Sequence, residues 1–183
     1  MKFAVYCGSL PGNDESYMRL AKELGARLAA RKIDLVYGGG NLGLMGAVAN
    51  GVAEGGGHIT GVIPDFFEGS RHRNAVGETI IVPNFYERKK IMFEKSDAFI
   101  ALPGGIGTVD EVTDIWTGFR IRKHSKPVGL FNMKGYYDHF LKWAENAATS
   151  GFIDDVSMQG LVVSDGIDDL IDELCKRISP SGQ

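Results

Sequence analysis

The sequence predicts an α/β protein: a doubly wound, Rossmann-like parallel sheet of about seven strands with helices on both faces. Three observations predict it. Short β-branched or aromatic runs alternate with longer helical patterns, the order of βαβ units. The run Ala98-Phe99-Ile100-Ala101-Leu102 is apolar without a break, as suits a strand covered on both faces. The 25 glycines among 183 residues gather in short clusters after apolar runs, where strands of such a sheet end and ligands bind.

In chain order, strand 3–7 closes on Gly8-Ser9 and a helix is expected over 14–31. Strand 33–37 closes on Gly38-Gly39-Gly40 and leads into a helix over 43–55. Strands 58–63 and 79–82 follow, then a helix over 84–96 and the buried strand 98–102. Its glycine turn opens a helix over 107–121, followed by strand 127–131, helix 136–149, strand 161–163 and helix 166–178. No internal repeat, low-complexity stretch or linker interrupts this order. Residues 1–178 therefore read as one domain and 179–183 as a flexible tail.

Composition narrows the class. Hydrophobic residues make up 44% and charged residues 23% of the chain, as in ordinary soluble globular proteins. A net charge of −3 with interleaved signs offers no basic stripe for nucleic acid. A phosphate must then be held by local groups. Cys7 and Cys175 lie far apart and form no disulfide framework or metal spacing, which favours a reducing, cytoplasmic setting. The opening apolar run is short for a secretory segment, and no run approaches the ~20 residues of a membrane span.

Residues 38–43 (GGGNLG) match the dinucleotide pattern G-x-G-x-x-G, with Asp65 farther on. The match follows the second strand rather than the first, so a nicotinamide site is the weaker reading. Gly39, Gly40 and Gly43, together with Ser9, are expected to give a phosphorylated ligand close approach to backbone.

Residues 103–111 (PGGIGTVDE) are more informative. Pro103 stops the strand, Gly104 and Gly105 turn the chain, and Thr108 is expected to open a helix. The unpaired N–H groups of a first helical turn, with the positive end of the dipole, form an anion site. No P-loop Lys-Ser/Thr follows, so a monophosphate fits better than a triphosphate. Thr108-x-x-Glu111 also has the form of a capping box, in which Glu111 would serve only the helix end. Helical angles put Glu111 about 100° from the expected apolar stripe of Val109, Val112, Ile115, Trp116 and Phe119, and Asp110 and Asp114 about 160° from it. A carboxylate at that margin has a ligand within reach. In helix 84–96, Arg88 and Lys89 each lie about 50° from the apolar direction set by Phe85, Ile91, Met92 and Phe93. Such charges either snorkel and pair or line a pocket ready for an anion.

With these residues in view, the chain resembles the LONELY GUY family of cytokinin riboside 5′-monophosphate phosphoribohydrolases, also labelled lysine decarboxylases. The resemblance covers nearly the whole chain: Cys7-Gly8-Ser9, residues 37–46 (YGGGNLGLMG), 61–64 (GVIP), Arg88-Lys89, 96–111 (SDAFIALPGGIGTVDE), 126–137 and 151–153. It implies that Arg88 and Glu111 are the catalytic pair and that Gly104, Gly105, Gly107 and Thr108 hold phosphate and ribose, with Lys89 nearby. It also implies a homodimer with active sites near the interface. The chain departs from the family pattern at 118–124 (GFRIRKH) and does not align over 65–78 (DFFEGSRHRNAVGE).

The expected reaction is hydrolysis of the C1′–N bond of AMP or an N6-substituted AMP. A carboxylate near C1′ suits the oxocarbenium-like transition state, a role for Glu111, and a guanidinium suits phosphate or leaving-group charge, a role for Arg88. No metal or redox cofactor is required. A nucleotide or cofactor carrier on the same fold is the alternative. A pyridoxal-phosphate decarboxylase ranks below it, because no lysine sits in a setting that argues for a Schiff base.

Overall fold

The order in which the strands pair decides where a ligand can enter. The computed structural model describes residues 1–67 and 76–178. Its elements are β1 (Lys2–Tyr6), α1 (Glu15–Ala30), β2 (Asp34–Tyr37), α2 (Gly43–Glu54), β3 (Ile59–Pro64), β4 (Glu78–Val82), α3 (Phe85–Glu94), β5 (Ala98–Ala101), α4 (Ile106–Arg120), β6 (Val128–Phe131), α5 (Asp138–Thr149), α6 (Asp155–Gln159), β7 (Leu161–Ser164) and α7 (Ile167–Arg177). The strands form one seven-stranded sheet in the order β4-β3-β2-β1-β5-β6-β7, and every pairing is parallel. The winding reverses between β1 and β5. Connections leaving these two strands diverge, which opens a crevice beyond their carboxyl ends.

Side chains alternate across the sheet. Phe3, Val5, Leu35 and Ile100 point to one face, where Leu24, Leu28, Val48, Val52 and Leu170 from α1, α2 and α7 cover them. Ala4, Val36, Phe99 and Leu130 point to the other, against Met92, Val112, Ile115 and Trp116 from α3 and α4. Both faces are therefore apolar, and the sequence shows continuous rather than alternating hydrophobic runs.

The predicted strands and long helices agree with these elements to within two residues at each end. Helix 136–149 starts at Asp138 instead, because a 3₁₀ turn over Met133–Gly135, with Lys134 at φ 52°, occupies the preceding residues. The short α6 was not anticipated. Asp154 caps it by accepting a hydrogen bond from the Ser157 amide at 2.7 Å. Two apolar assignments fail: Val109 is 37% and Phe85 48% exposed, and Phe85 lines the crevice instead of the core. No helix among the described residues is long and apolar enough to cross a membrane. The expected tail 179–183 and most of the unaligned segment, 68–75, lie outside the described residues.

Candidate active site

The crevice beyond β1 and β5 is a cavity of about 910 Å³. Three loops reach it. The turn after β1 contributes Ser9, the turn after β2 contributes Gly38 and Gly40, and the turn after β5 contributes Gly105, Gly107 and Thr108. Hydrogen bonds tie the loops together: the Gly8 amide donates to the Pro103 carbonyl at 3.0 Å, and the Leu44 amide to the Gly8 carbonyl at 3.0 Å.

Helix α4 starts earlier than the sequence suggests. Its cap is Gly105, with no side-chain capping bond, and Thr108 is the third helical residue. The capping-box reading of Thr108 and Glu111 is thereby overturned. A glycine cap leaves the first-turn amides without a side-chain partner, beside a cavity. Thr108 is buried.

Glu111, freed from that role, turns inward. It is only 7% exposed, and its Oε1 lies 3.1 Å from Nη2 of Arg88. The two residues come from α4 and α3, 23 positions apart, and both line the cavity. Burial pushes the Glu111 carboxyl above its ordinary range, and the Arg88 guanidinium pulls against that rise without cancelling it. Arg88 Nε is buried and has no hydrogen-bond partner among the described residues. Its guanidinium also stands 5.7 Å from the ring centre of Phe85, and Phe85 packs edge-on against Phe66 at 5.4 Å. The pair thus has one unfulfilled donor and an aromatic flank.

Lys89 lines the cavity, but its ammonium sits 3.3 Å from both Asp110 and Asp114. Burial acts to lower its pKa, yet the bonds to those two carboxylates together hold it raised. Both aspartates are exposed, Asp110 at the edge of the cavity, and they take up the charge expected for phosphate.

The remaining expected ligand residues divide. Ser9, Gly40, Gly105, Gly107 and Thr108 line the cavity. Gly39, Gly43 and Gly104 stand behind it. Gly43 has φ +55°, and its Cα presses on the backbone of Ser9 where a β-carbon would overlap. Gly104 packs beneath Thr108, and Gly39 against Ile63. Their role is to bring the loops together, not to line the cavity.

Several cavity residues were not among the candidate site residues, although Cys7, Met45 and Ile63 lie in motifs shared with the family. Cys7 sits at the floor, and burial raises its thiol pKa, so it stays protonated and is no nucleophile. Met45, Ile63, Phe67 and Tyr86 form an apolar wall. Residues 118–124, where the chain departs from the family pattern, contribute nothing to the lining. Gly118 there faces the His124 ring. Glu78 begins β4 opposite Thr60, at the end of the sheet away from the crevice.

Similarity to known proteins bears on this site. The family described as "Possible lysine decarboxylase" matches residues 45–174. The "Probable cytokinin riboside 5′-monophosphate phosphoribohydrolase LOGL9" of Oryza sativa subsp. japonica is 50% identical over 153 residues, covering 83% of this chain and 67% of that one. The cytokinin riboside 5′-monophosphate phosphoribohydrolase LOG1 of Arabidopsis thaliana is 42% identical over 177 residues, covering 94% and 82%. Among solved structures, a molybdenum cofactor carrier protein of Chlamydomonas reinhardtii superposes with TM-score 0.72 at 22% identity, over 96% of each chain, a likeness of fold. The matched span includes Arg88, Glu111 and the glycine turn between β5 and α4, and on that match the chain belongs to the LONELY GUY family of phosphoribohydrolases, the family also described as possible lysine decarboxylases.

Proposed function

We propose that this chain hydrolyses the N-glycosidic bond of a nucleoside 5′-monophosphate, AMP or an N6-substituted AMP, releasing the free base and ribose 5-phosphate. The observation that carries the reading is the buried Arg88–Glu111 pair at 3.1 Å, in a cavity that also holds the amino end of α4. Membership in the family and the names of its plant members support the substrate class.

In this reading the phosphate lies against the amides of Gly105, Ile106 and Gly107 at the positive end of α4. The base lies along Met45, Ile63 and Phe67, where flat apolar surface suits a purine and an N6 alkyl group. C1′ then falls at Glu111. Water attacks C1′ as the C1′–N bond breaks, and the bonding pair leaves with the base. Glu111 orients that water, accepts its proton and offsets the positive charge that builds on the ribose. A carboxyl held above its ordinary range is the better base for this step. Arg88, lining the cavity beside Glu111, holds anionic oxygen beside the reacting centre through its guanidinium.

The same reading takes residues 1–178 as one working unit in the cytoplasm, where Cys7 and Cys175, both free thiols, stay reduced. It also makes the chain a homodimer. Support for the dimer is the apolar rim of the cavity, where Tyr86 is 81%, Leu10 74% and Ile106 91% exposed, side chains that a second copy would cover. Incubation of the pure protein with AMP and with N6-isopentenyl AMP, followed by separation of products, tests the activity. Release of free base together with ribose 5-phosphate supports it, and tight binding with no product supports a carrier.

A further inference from the structure

The segment after β6 makes an unusual set of bonds to the neighbouring glycine turn. Between Phe131 and Asp138 the chain folds into a tight turn. Asn132 accepts from the Tyr137 amide at 2.7 Å and donates to Asp138 at 2.8 Å. Lys134 and Gly135 both take positive φ, 52° and 70°. This turn presents two consecutive tyrosines to the β5–α4 connection. The buried Tyr137 hydroxyl donates to the Leu102 carbonyl at 2.6 Å, and the half-exposed Tyr136 hydroxyl donates to the Gly104 carbonyl at 2.6 Å. The two bonds bracket Pro103. The rings stand edge-on to each other at 5.1 Å, and Tyr17 of α1 stands edge-on to Tyr136 at 6.0 Å.

The Gly104 bond has a consequence for the cavity. A trans peptide is planar, with its carbonyl and N–H pointing in opposite directions. Fixing the Gly104 carbonyl on the tyrosine side turns the N–H of Gly105 the other way, and Gly105 lines the cavity. Neither Gly104 nor Gly105 has a side chain to set this peptide's orientation; Gly104 is packed beneath Thr108, and the bond from Tyr136 is the hydrogen bond that holds its carbonyl. We infer that Tyr136 is a positioning residue for the phosphate end of the substrate: it touches no reacting atom, and it aims the first amide of the anion site. The inference rests on the hydrolase reading for the identity of the ligand, but the geometry concerns anion binding alone.

Tyr136→Phe tests it, because phenylalanine keeps the ring against Tyr17 and Tyr137 and removes only the donor. The wild type and the variant are compared in AMP hydrolysis and in binding of ribose 5-phosphate by calorimetry, with free adenine as control ligand. The expected result is a KM for AMP and a Kd for ribose 5-phosphate raised about three- to tenfold, the worth of one hydrogen bond. Turnover number and adenine affinity stay within about twofold, the precision of such comparisons. Unchanged KM and Kd with a lower melting temperature make Tyr136 a purely structural residue and overturn the inference. A fall in kcat at constant KM overturns it as well. If the wild type binds ribose 5-phosphate without cleaving AMP, the hydrolase reading fails, and the Kd comparison still decides the role of Tyr136.

Discussion

Arg88 reaches Glu111 only by crossing Gly38. A β-carbon at residue 38 would overlap Nη2 of Arg88 and approach Met45 Sδ to 3.2 Å. The glycine turn after β2 therefore makes room for the cation of the candidate catalytic pair, in addition to any contact with ligand.

Gly38→Ala follows directly. The backbone at residue 38 is not in the left-handed region, and the overlapping atom is the tip of a flexible side chain, so the fold accommodates the methyl group by displacing Arg88. The melting temperature is expected to stay near that of the wild type while AMP cleavage falls by about 10²-fold, the scale of a misplacement of about 1 Å at the chemistry. Differential scanning calorimetry beside a base-release assay reads both. An equal loss in stability and activity contradicts this account of Gly38.

Arg88→Ala should abolish base release without unfolding the protein. Its loss leaves Glu111 buried without a partner, so the carboxyl protonates more readily, and burial already pushes it that way. In the wild type, kcat/KM should fall as pH drops through a midpoint above the ordinary value of 4.5, because the base must be ionised. An acid limb at or below that value argues against Glu111 as the base.

His124 links stability to pH. Its Nδ1 accepts from the Lys126 amide at 3.2 Å and its Nε2 meets the Ile115 carbonyl at 3.0 Å, so the neutral ring is satisfied on both sides. Burial, with help from the nearby Lys126 charge, lowers its pKa below 6.5. A depressed pKa means the stabilisation is complete above 6.5 and is lost as pH falls through the lower, folded-state value. The melting temperature should therefore drop in mild acid. His124→Phe, which keeps a ring beside Phe93 and Phe119, should lose that step while being less stable at neutral pH.

Two buried tyrosines lead to opposite expectations. Tyr137→Phe leaves the Leu102 carbonyl without its 2.6 Å donor and should cost about 1–3 kcal/mol. The Tyr6 hydroxyl is buried with no partner among the described residues, so Tyr6→Phe should leave stability unchanged or raise it. Urea unfolding of both variants gives the comparison. A large loss in Tyr6→Phe means the hydroxyl has a partner in solution.

Much of this was legible in the sequence because the fold is built from local signals. Continuous apolar runs ended by glycine marked the strands and, through them, the crevice. The inward margin of a helix marked Arg88, Lys89 and Glu111 as unusual charges, and the pairing of Arg88 with Glu111 follows from the topology that sets α3 beside α4. What was not legible depends on contacts between distant segments. Helix α4 begins at Ile106 rather than near Thr108 because the glycine turn continues directly into helix, which removes the capping box. For Lys89 the angles leave both pairing and phosphate binding open, because they show a direction and not the partners Asp110 and Asp114. Tyr136 and Tyr137 bond to carbonyls more than thirty positions earlier, and no periodicity reports such a bond. Phe85 and Val109 follow the apolar pattern but are exposed, Phe85 at the cavity.

The central claim is that the buried carboxylate of Glu111 does chemistry. Base release from AMP by Glu111→Gln, measured beside its melting temperature, tests it most directly. Glutamine keeps the size of the side chain and a hydrogen-bonding oxygen toward Arg88 while removing the charge and the basicity. The account predicts a melting temperature near that of the wild type and a rate lower by about 10²-fold or more. Full activity in this variant contradicts it.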